Sequence, residues 1–207
     1  MSVAGPLRFD ALSSTRPRKV PASCVVLHWT GGAGGAEQVY RTLRSRIGPK
    51  TRDGLSIHYV VEPDGTEVQM ASLDLVCLHA GMMNDVSVGI EIVSPGMARG
   101  AAYERERKAG IKRDVYEDRL RGWRRPLEML DFTAEQTTAV TLLVEQLCTK
   151  LSIPKRVPTD ETGALLRRTM TPEEMRAFSG VLGHYHCSTV KTDPGTRLLD
   201  RLRVRWL

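Results

Sequence analysis

Cys24-Val25-Val26-Leu27-His28-Trp29-Thr30 is the stretch on which the fold turns. A short apolar run, rich in valine, leads without alternation into a histidine, and a glycine-rich turn, Gly31 to Gly35, follows. An unalternating apolar run of this kind fits a strand buried on both faces. Beyond the turn, Ala36, Val39, Tyr40, Leu43 and Ile47 share one helical stripe that Gly48-Pro49 stops.

Further along, Ile57 to Glu62 reads as a strand and Pro63-Asp64-Gly65 as a turn, because proline presets φ and glycine supplies positive φ. Thr66 to Met70 is its hairpin partner, and Val86 to Val93 a further strand. Thr133-Ala134-Glu135-Gln136 is a capping box that opens a helix carrying Val140, Leu143, Val144, Leu147 and Leu151, which Pro154 ends. Thr171-Pro172-Glu173-Glu174 is a second box, with proline at the first helical position. This order predicts one α/β domain, a mixed central β-sheet flanked by α-helices, over residues 21–207. Residues 1–20, with Pro6 and Pro17, are expected to form an irregular lead-in, and residues 96–131 a charged insertion.

The 207 residues suffice for one domain with a substantial core, and 41% hydrophobic with 26% charged residues is ordinary for a globular chain. No apolar run approaches the roughly 20 residues of a membrane span, so no membrane insertion is expected. The N-terminus has no apolar secretory core. The expected location is cytoplasmic as synthesised, with release by lysis or a dedicated secretion system. Cys24, Cys77, Cys148 and Cys187 lack CxxC spacing and are expected to be reduced.

The net charge is +6, and between Arg99 and Arg125 ten Lys or Arg face five Asp or Glu. Such a run is a solvated face or a means of attracting a polyanion. Finger spacings, basic zippers and RNA-binding aromatic signatures are absent, so no nucleic-acid partner is expected. A cell wall with anionic polymers suits the same charge.

Catalytic zinc takes three protein ligands and leaves a position for water. The chain has only five histidines. His28 stands where a buried strand gives way to a glycine turn, and His184 opens a stretch that also holds Lys191 and Asp193. A lone histidine is more often structural than a ligand, so the combination matters more than either residue.

That combination sits within a longer resemblance. Val25-Val26-Leu27-His28-Trp29-Thr30 is followed by Ser56-Ile57-His58-Tyr59-Val60-Val61 with Asp64-Gly65-Thr66, and then by His79-Ala80-Gly81. Asn84-Asp85-Val86-Ser87-Val88-Gly89-Ile90-Glu91, Phe132-Thr133-Ala134-Glu135-Gln136, Gly183-His184 and Lys191-Thr192-Asp193-Pro194-Gly195 complete the series. In these motifs and their order the chain resembles the type 2 N-acetylmuramoyl-L-alanine amidases, which share a fold with peptidoglycan recognition proteins and some phage lysozymes.

The resemblance implies a Zn2+ cofactor held by His28, His184 and Asp193, with Glu91 and Lys191 assisting catalysis. It also implies His79, Asn84 and Trp29 as residues of the substrate groove. Some members carry a tyrosine before the histidine at the His58 position; Ile57 stands there in this chain, which favours Glu91 as the base. His186 and Cys187 are rival third ligands, since thiolate and imidazole both bind zinc. The implied partner is peptidoglycan or a muropeptide, either cut at the bond to L-alanine or bound by a recognition module without cleavage, and the expected state is a monomer.

Overall fold

The computed structural model describes residues 14–48, 54–120 and 122–207. In chain order its strands and helices are β1 (Thr15–Pro17), β2 (Cys24–Trp29), α1 (Ala36–Ser45), β3 (Tyr59–Val61), β4 (Glu67–Gln69), β5 (Leu75–Cys77) and β6 (Ser87–Ile92). Then come α2 (Ala101–Lys108), β7 (Val115–Asp118), β8 (Leu127–Leu130), α3 (Ala134–Leu151), α4 (Pro172–Ala177), β9 (Gly180–Gly183), α5 (His184–Cys187) and α6 (Arg197–Arg205). A short 3-10 turn, Gly81–Val86, precedes β6.

The central sheet has the order β4-β3-β6-β2-β9. Strands β3, β6, β2 and β9 run parallel, and β4 returns antiparallel to β3 through the expected hairpin. It is a mixed sheet flanked by helices, as predicted. Val25 and Leu27 of β2, Val88, Ile90 and Ile92 of β6 and Val181 of β9 join a core cluster with Val140, Leu143, Val144 and Leu147 of α3 and Leu198, Leu199 and Leu202 of α6. Burying each such aliphatic side chain is worth about 1.5–3 kcal/mol. Cys24, Val26 and Leu182 belong to a second cluster with Met170 and Met175. Because side chains alternate along a strand, His28 shares the second face with Cys24 and Val26, and Glu91 likewise departs from the Val88–Ile90–Ile92 face.

Both capping boxes form. Thr133 accepts from the Gln136 N–H and Thr171 from the Glu174 N–H, with each reciprocal side-chain bond in place. Helix α1 stops at Ser45, so Ile47 falls outside the expected stripe and is 70% exposed. Pro49 and residues 1–13 of the lead-in lie outside the described residues. The rest of the lead-in is ordered: β1 pairs antiparallel with β5, and the Arg18 guanidinium donates to the carbonyls of Leu73, Leu75, Asp85 and Ser87.

Residues 96–131 form α2 and the antiparallel β7–β8 hairpin. Leu120 and Met129 belong to the main core. Arg113 and Glu106 form a buried ion pair, and Arg113 also donates to Gln136 and to the Val93 carbonyl. One of the segment's basic residues is thus a rivet to the sheet rather than part of a solvated face. Cys24, Cys148 and Cys187 are in no disulfide.

Candidate active site

Three neighbouring parallel strands end at one level. In the β2–β6 register His28 lies opposite Glu91, and in the β2–β9 register Leu27 lies opposite Gly183, one residue before His184. The carboxyl ends of parallel strands are where open α/β sheets build their sites. Here that edge carries Glu91, His28 and His184 side by side, and the turn after α5 brings Asp193 to them.

The Nδ1 atoms of His28 and His184 are 3.0 Å apart. Asp193 Oδ2 lies 2.9 Å from His184 Nδ1 and 3.2 Å from His28 Nδ1. A tetrahedral zinc with bonds of about 2.0–2.2 Å sets its ligand atoms roughly 3.3–3.5 Å apart, so a triangle with edges of 2.9–3.2 Å accepts the ion with a slight spread. The donor set, two imidazoles and a carboxylate, suits zinc with an open fourth position. Among the described residues this is the one cluster of His, Cys, Asp and Glu with metal-binding spacing.

The electrostatics agree with that use. Burial, with the neighbouring His184, pushes the His28 imidazole down to about 4, so the ring is neutral at neutral pH. Burial pushes the Asp193 carboxyl up, but His184 and His28 close beside it outweigh burial and hold the group below the usual carboxylate range. Glu91 behaves oppositely: burial first, then the Asp193 charge, raise its carboxyl well above the ordinary value. Its Oε2 has no hydrogen-bond partner among the described residues, although the carboxyl group lines the cleft. A buried carboxyl with a raised pKa and one unpartnered oxygen, on a residue that lines a cleft, is suited to proton transfer. Lys191 lines the same cleft, and its charge lowers the pKa of both His28 and Glu91.

His79 lines the cleft but also supports His28. Its Nδ1 is 3.0 Å from His28 Nε2, its Nε2 is 3.3 Å from Ser87 Oγ, and Ser87 donates to the Met83 carbonyl. With His28 Nδ1 committed to the cluster, its proton sits on Nε2 and is given to His79, whose own proton points to Ser87. Gly89 makes room for this contact: a Cβ there would meet His79 Nδ1 at 2.7 Å. Asn84 does not line the cleft; its Oδ1 accepts from the His79 and Ala80 N–H groups at 2.9 and 2.7 Å. Trp29 lines the cleft and packs on Gly96, where a Cβ would meet the ring Cδ2 at 2.5 Å.

The rival ligands face elsewhere. His186 donates to the Leu166 carbonyl and accepts the Gly183 N–H, so both ring nitrogens are engaged by backbone. Cys187 packs against the Met170–Met175 cluster, and burial pushes its thiol up to about 12. His58 is a core residue that accepts from the Gly89 N–H. Sequence reading missed Ser87 as a support for His79. It also missed Arg46 of the α1 terminus and Arg105 of α2, which line the roughly 820 Å³ cleft. No spacing in the chain marks those two arginines, since the cleft wall is assembled from distant segments.

A parallel-strand edge that delivers two histidines and a buried glutamate to an open cleft, with an aspartate brought to them by a turn, defines a candidate metallohydrolase domain. The family model described as N-acetylmuramoyl-L-alanine amidase matches residues 18–196, and the chain belongs to that family. Among solved structures it is similar to the N-acetylmuramyl-L-alanine amidase AmiD from E. coli, there in complex with an anhydro-muropeptide substrate. The TM-score is 0.55 at 16% identity, covering 92% of this chain and 60% of AmiD, so the chain spans well under two thirds of that relative. An AmpD derivative matches at TM-score 0.55 and 20% identity over 99% of this chain and 94% of that one. Peptidoglycan recognition protein LE, in complex with tracheal cytotoxin, matches at TM-score 0.53 and 15% identity over 96% and 88%. At these identities the likenesses establish the fold. No curated protein matches the chain.

Proposed function

We propose that this protein hydrolyses the amide bond between the lactyl group of N-acetylmuramic acid and L-alanine, in peptidoglycan or a muropeptide derived from it, with zinc held by His28, His184 and Asp193. The observation that carries the reading is the triangle of ligand atoms within 4.8 Å of one another, in a cleft also lined by the buried Glu91, whose Oε2 has no hydrogen-bond partner among the described residues. Zinc, when bound, supplies a Lewis acid that polarises the scissile carbonyl and acidifies water. His28 and His184 bring neutral nitrogens and Asp193 an anion, so the ligand set carries one negative charge.

Glu91 takes the proton from the attacking water and returns it to the departing L-alanine nitrogen, so the amide ends as a carboxylic acid, which ionises to solvent, and a free amine. Its raised pKa suits both halves of that transfer. The Lys191 ammonium faces the oxygen on which negative charge develops and stabilises it. Trp29 and His79 line the cleft walls and hold the substrate against this floor. Among the described residues no helix is long and apolar enough to cross a membrane.

The test is turnover of purified peptidoglycan and of soluble muropeptides by the zinc-loaded protein, with products identified by mass. The expected result is free stem peptide with a new L-alanine amino terminus. Measurable muropeptide binding with no cleavage, with zinc shown to be present, refutes the enzyme and leaves a recognition module.

A further inference from the structure

The basic insertion touches the turn that carries Asp193. On β7, Tyr116 and Asp118 share one face, while Glu117 between them is exposed and pairs with Arg119. That shared face meets the segment after the Asp193 ligand. Asp118 is fully buried. Its Oδ2 accepts the Thr196 backbone N–H at 2.8 Å, and its Oδ1 accepts the Thr196 hydroxyl at 2.9 Å and Arg167 Nη1 at 3.3 Å. The Tyr116 hydroxyl occupies the space where a side chain on Gly195 would begin, and Arg197 stacks on the Tyr116 ring at 4.4 Å.

The turn itself is short. Gly195 N–H bonds the Thr192 carbonyl at 2.9 Å, closing a loop with Asp193 and Pro194 at its centre. Its near side is tied to α5, because the backbone carbonyl of Asp193 itself accepts the Tyr185 N–H at 3.0 Å. The other end is tied to Asp118. The Asp193 carboxylate is the third corner of the ligand triangle, and it stands on this buried turn rather than on a strand. A ligand on a turn keeps its geometry only if the turn is held at both ends.

We infer that Asp118 of the insertion is a positioning residue for the metal site: by clamping Thr196 it fixes the Thr192–Thr196 turn and so the placement of the Asp193 ligand. The inference rests on the proposed zinc site. It assigns the insertion a role in the metal centre that its basic composition does not suggest.

The experiment measures zinc affinity by competition with a chromophoric chelator, and the visible absorption spectrum of the cobalt(II)-loaded protein, for wild type, Asp118→Asn and Thr196→Val. Spectra are taken well below each protein's unfolding temperature. The expected result is zinc affinity lower by about 10- to 100-fold in Asp118→Asn, a smaller loss in Thr196→Val, and an altered cobalt spectrum in both. Lower thermal stability with unchanged zinc affinity and unchanged cobalt spectrum overturns the inference and leaves Asp118 as an anchor for α6 alone. If Asp118→Asn does not fold, Thr196→Val decides on the same two readouts. Asp193→Ala separates the two readings: wild-type zinc binding in that variant refutes the ligand set itself, whereas its loss beside an unaffected Asp118→Asn refutes only the positioning role.

Discussion

Gly89→Ala tests the support of the proposed metal site at its least forgiving point. The residue sits on β6, between β3 and β2, with its N–H bonded to His58 Nδ1 at 3.0 Å and its carbonyl accepting the His58 N–H at 3.2 Å. The backbone therefore has little freedom to retreat. An added Cβ would meet the Ile57 Cδ1 atom and come within 2.7 Å of His79 Nδ1 and 2.8 Å of His79 Cε1. Ile57 can change rotamer, but His79 is wedged between His28 and Ser87. Overpacking of this kind costs about 1–3 kcal/mol, which for a chain of this size is roughly 2–12 °C in Tm. The larger consequence is chemical. A displaced His79 releases the Nε2 of His28, and loss of such an orienting partner lowers metal affinity about 10- to 100-fold. Thermal denaturation of the metal-free variant and a zinc competition titration measure the two effects separately. Wild-type Tm together with wild-type zinc affinity would show that the strand or the ring yields freely, and would refute the reasoning.

Glu91→Gln is expected to lower kcat by about 10²–10⁴-fold while zinc affinity stays near wild type; steady-state kinetics with a defined muropeptide decide it, and unchanged kcat removes Glu91 from the proton path. Lys191→Ala is expected to lower kcat by about 10²–10³-fold, and a rise confined to KM would make the lysine a binding group only. Zinc at 100 times its Kd should stabilise the metal-free protein by about 2.7 kcal/mol, read as a rise in Tm, and a Tm indifferent to zinc would argue against the His28–His184–Asp193 site. Stability should also fall with acid. Burial lowers His58 and His186 each to about 4, so the unfolded chain binds protons that the folded chain refuses. Their contribution is intact above the unfolded pKa of about 6.5 and is lost as pH drops toward 4, at up to about 1.4 kcal/mol per pH unit for each ring. A Tm that is flat from pH 7 to 5 would contradict the burial argument.

Much of this protein could be read along the chain. The unalternating run at Cys24–Leu27 marked a doubly covered strand, the stripe from Ala36 marked α1, and two capping boxes marked the starts of α3 and α4. Each of these is a local signal, set by side-chain period or by the unsatisfied N–H groups of a helix start. The order of motifs from Val25 to Gly195 pointed to the family and nominated His28, His184 and Asp193 as candidate ligands. What remained hidden was whatever depended on partners far apart in sequence. The β1–β5 pair and the β7–β8 hairpin are short strands whose backbone partners, not their own composition, make them strands.

The site divides along the same line. Residue type and motif were enough to select His28, His184, Asp193, Glu91 and Lys191. Only the tertiary structure decided their geometry, because the parallel register of β6, β2 and β9 sets Glu91, His28 and His184 level at one edge. It likewise took His186 out of contention by giving both of its ring nitrogens to backbone, gave Asn84 a turn to cap, and set His79 behind His28. Nor could charge counting tell that Asp118 grips Thr196, or that Arg113 is spent on Glu106 inside the fold. Local periodicity carries information over a few residues, whereas a hydrogen bond spanning 78 positions exists only once the sheet has brought its ends together.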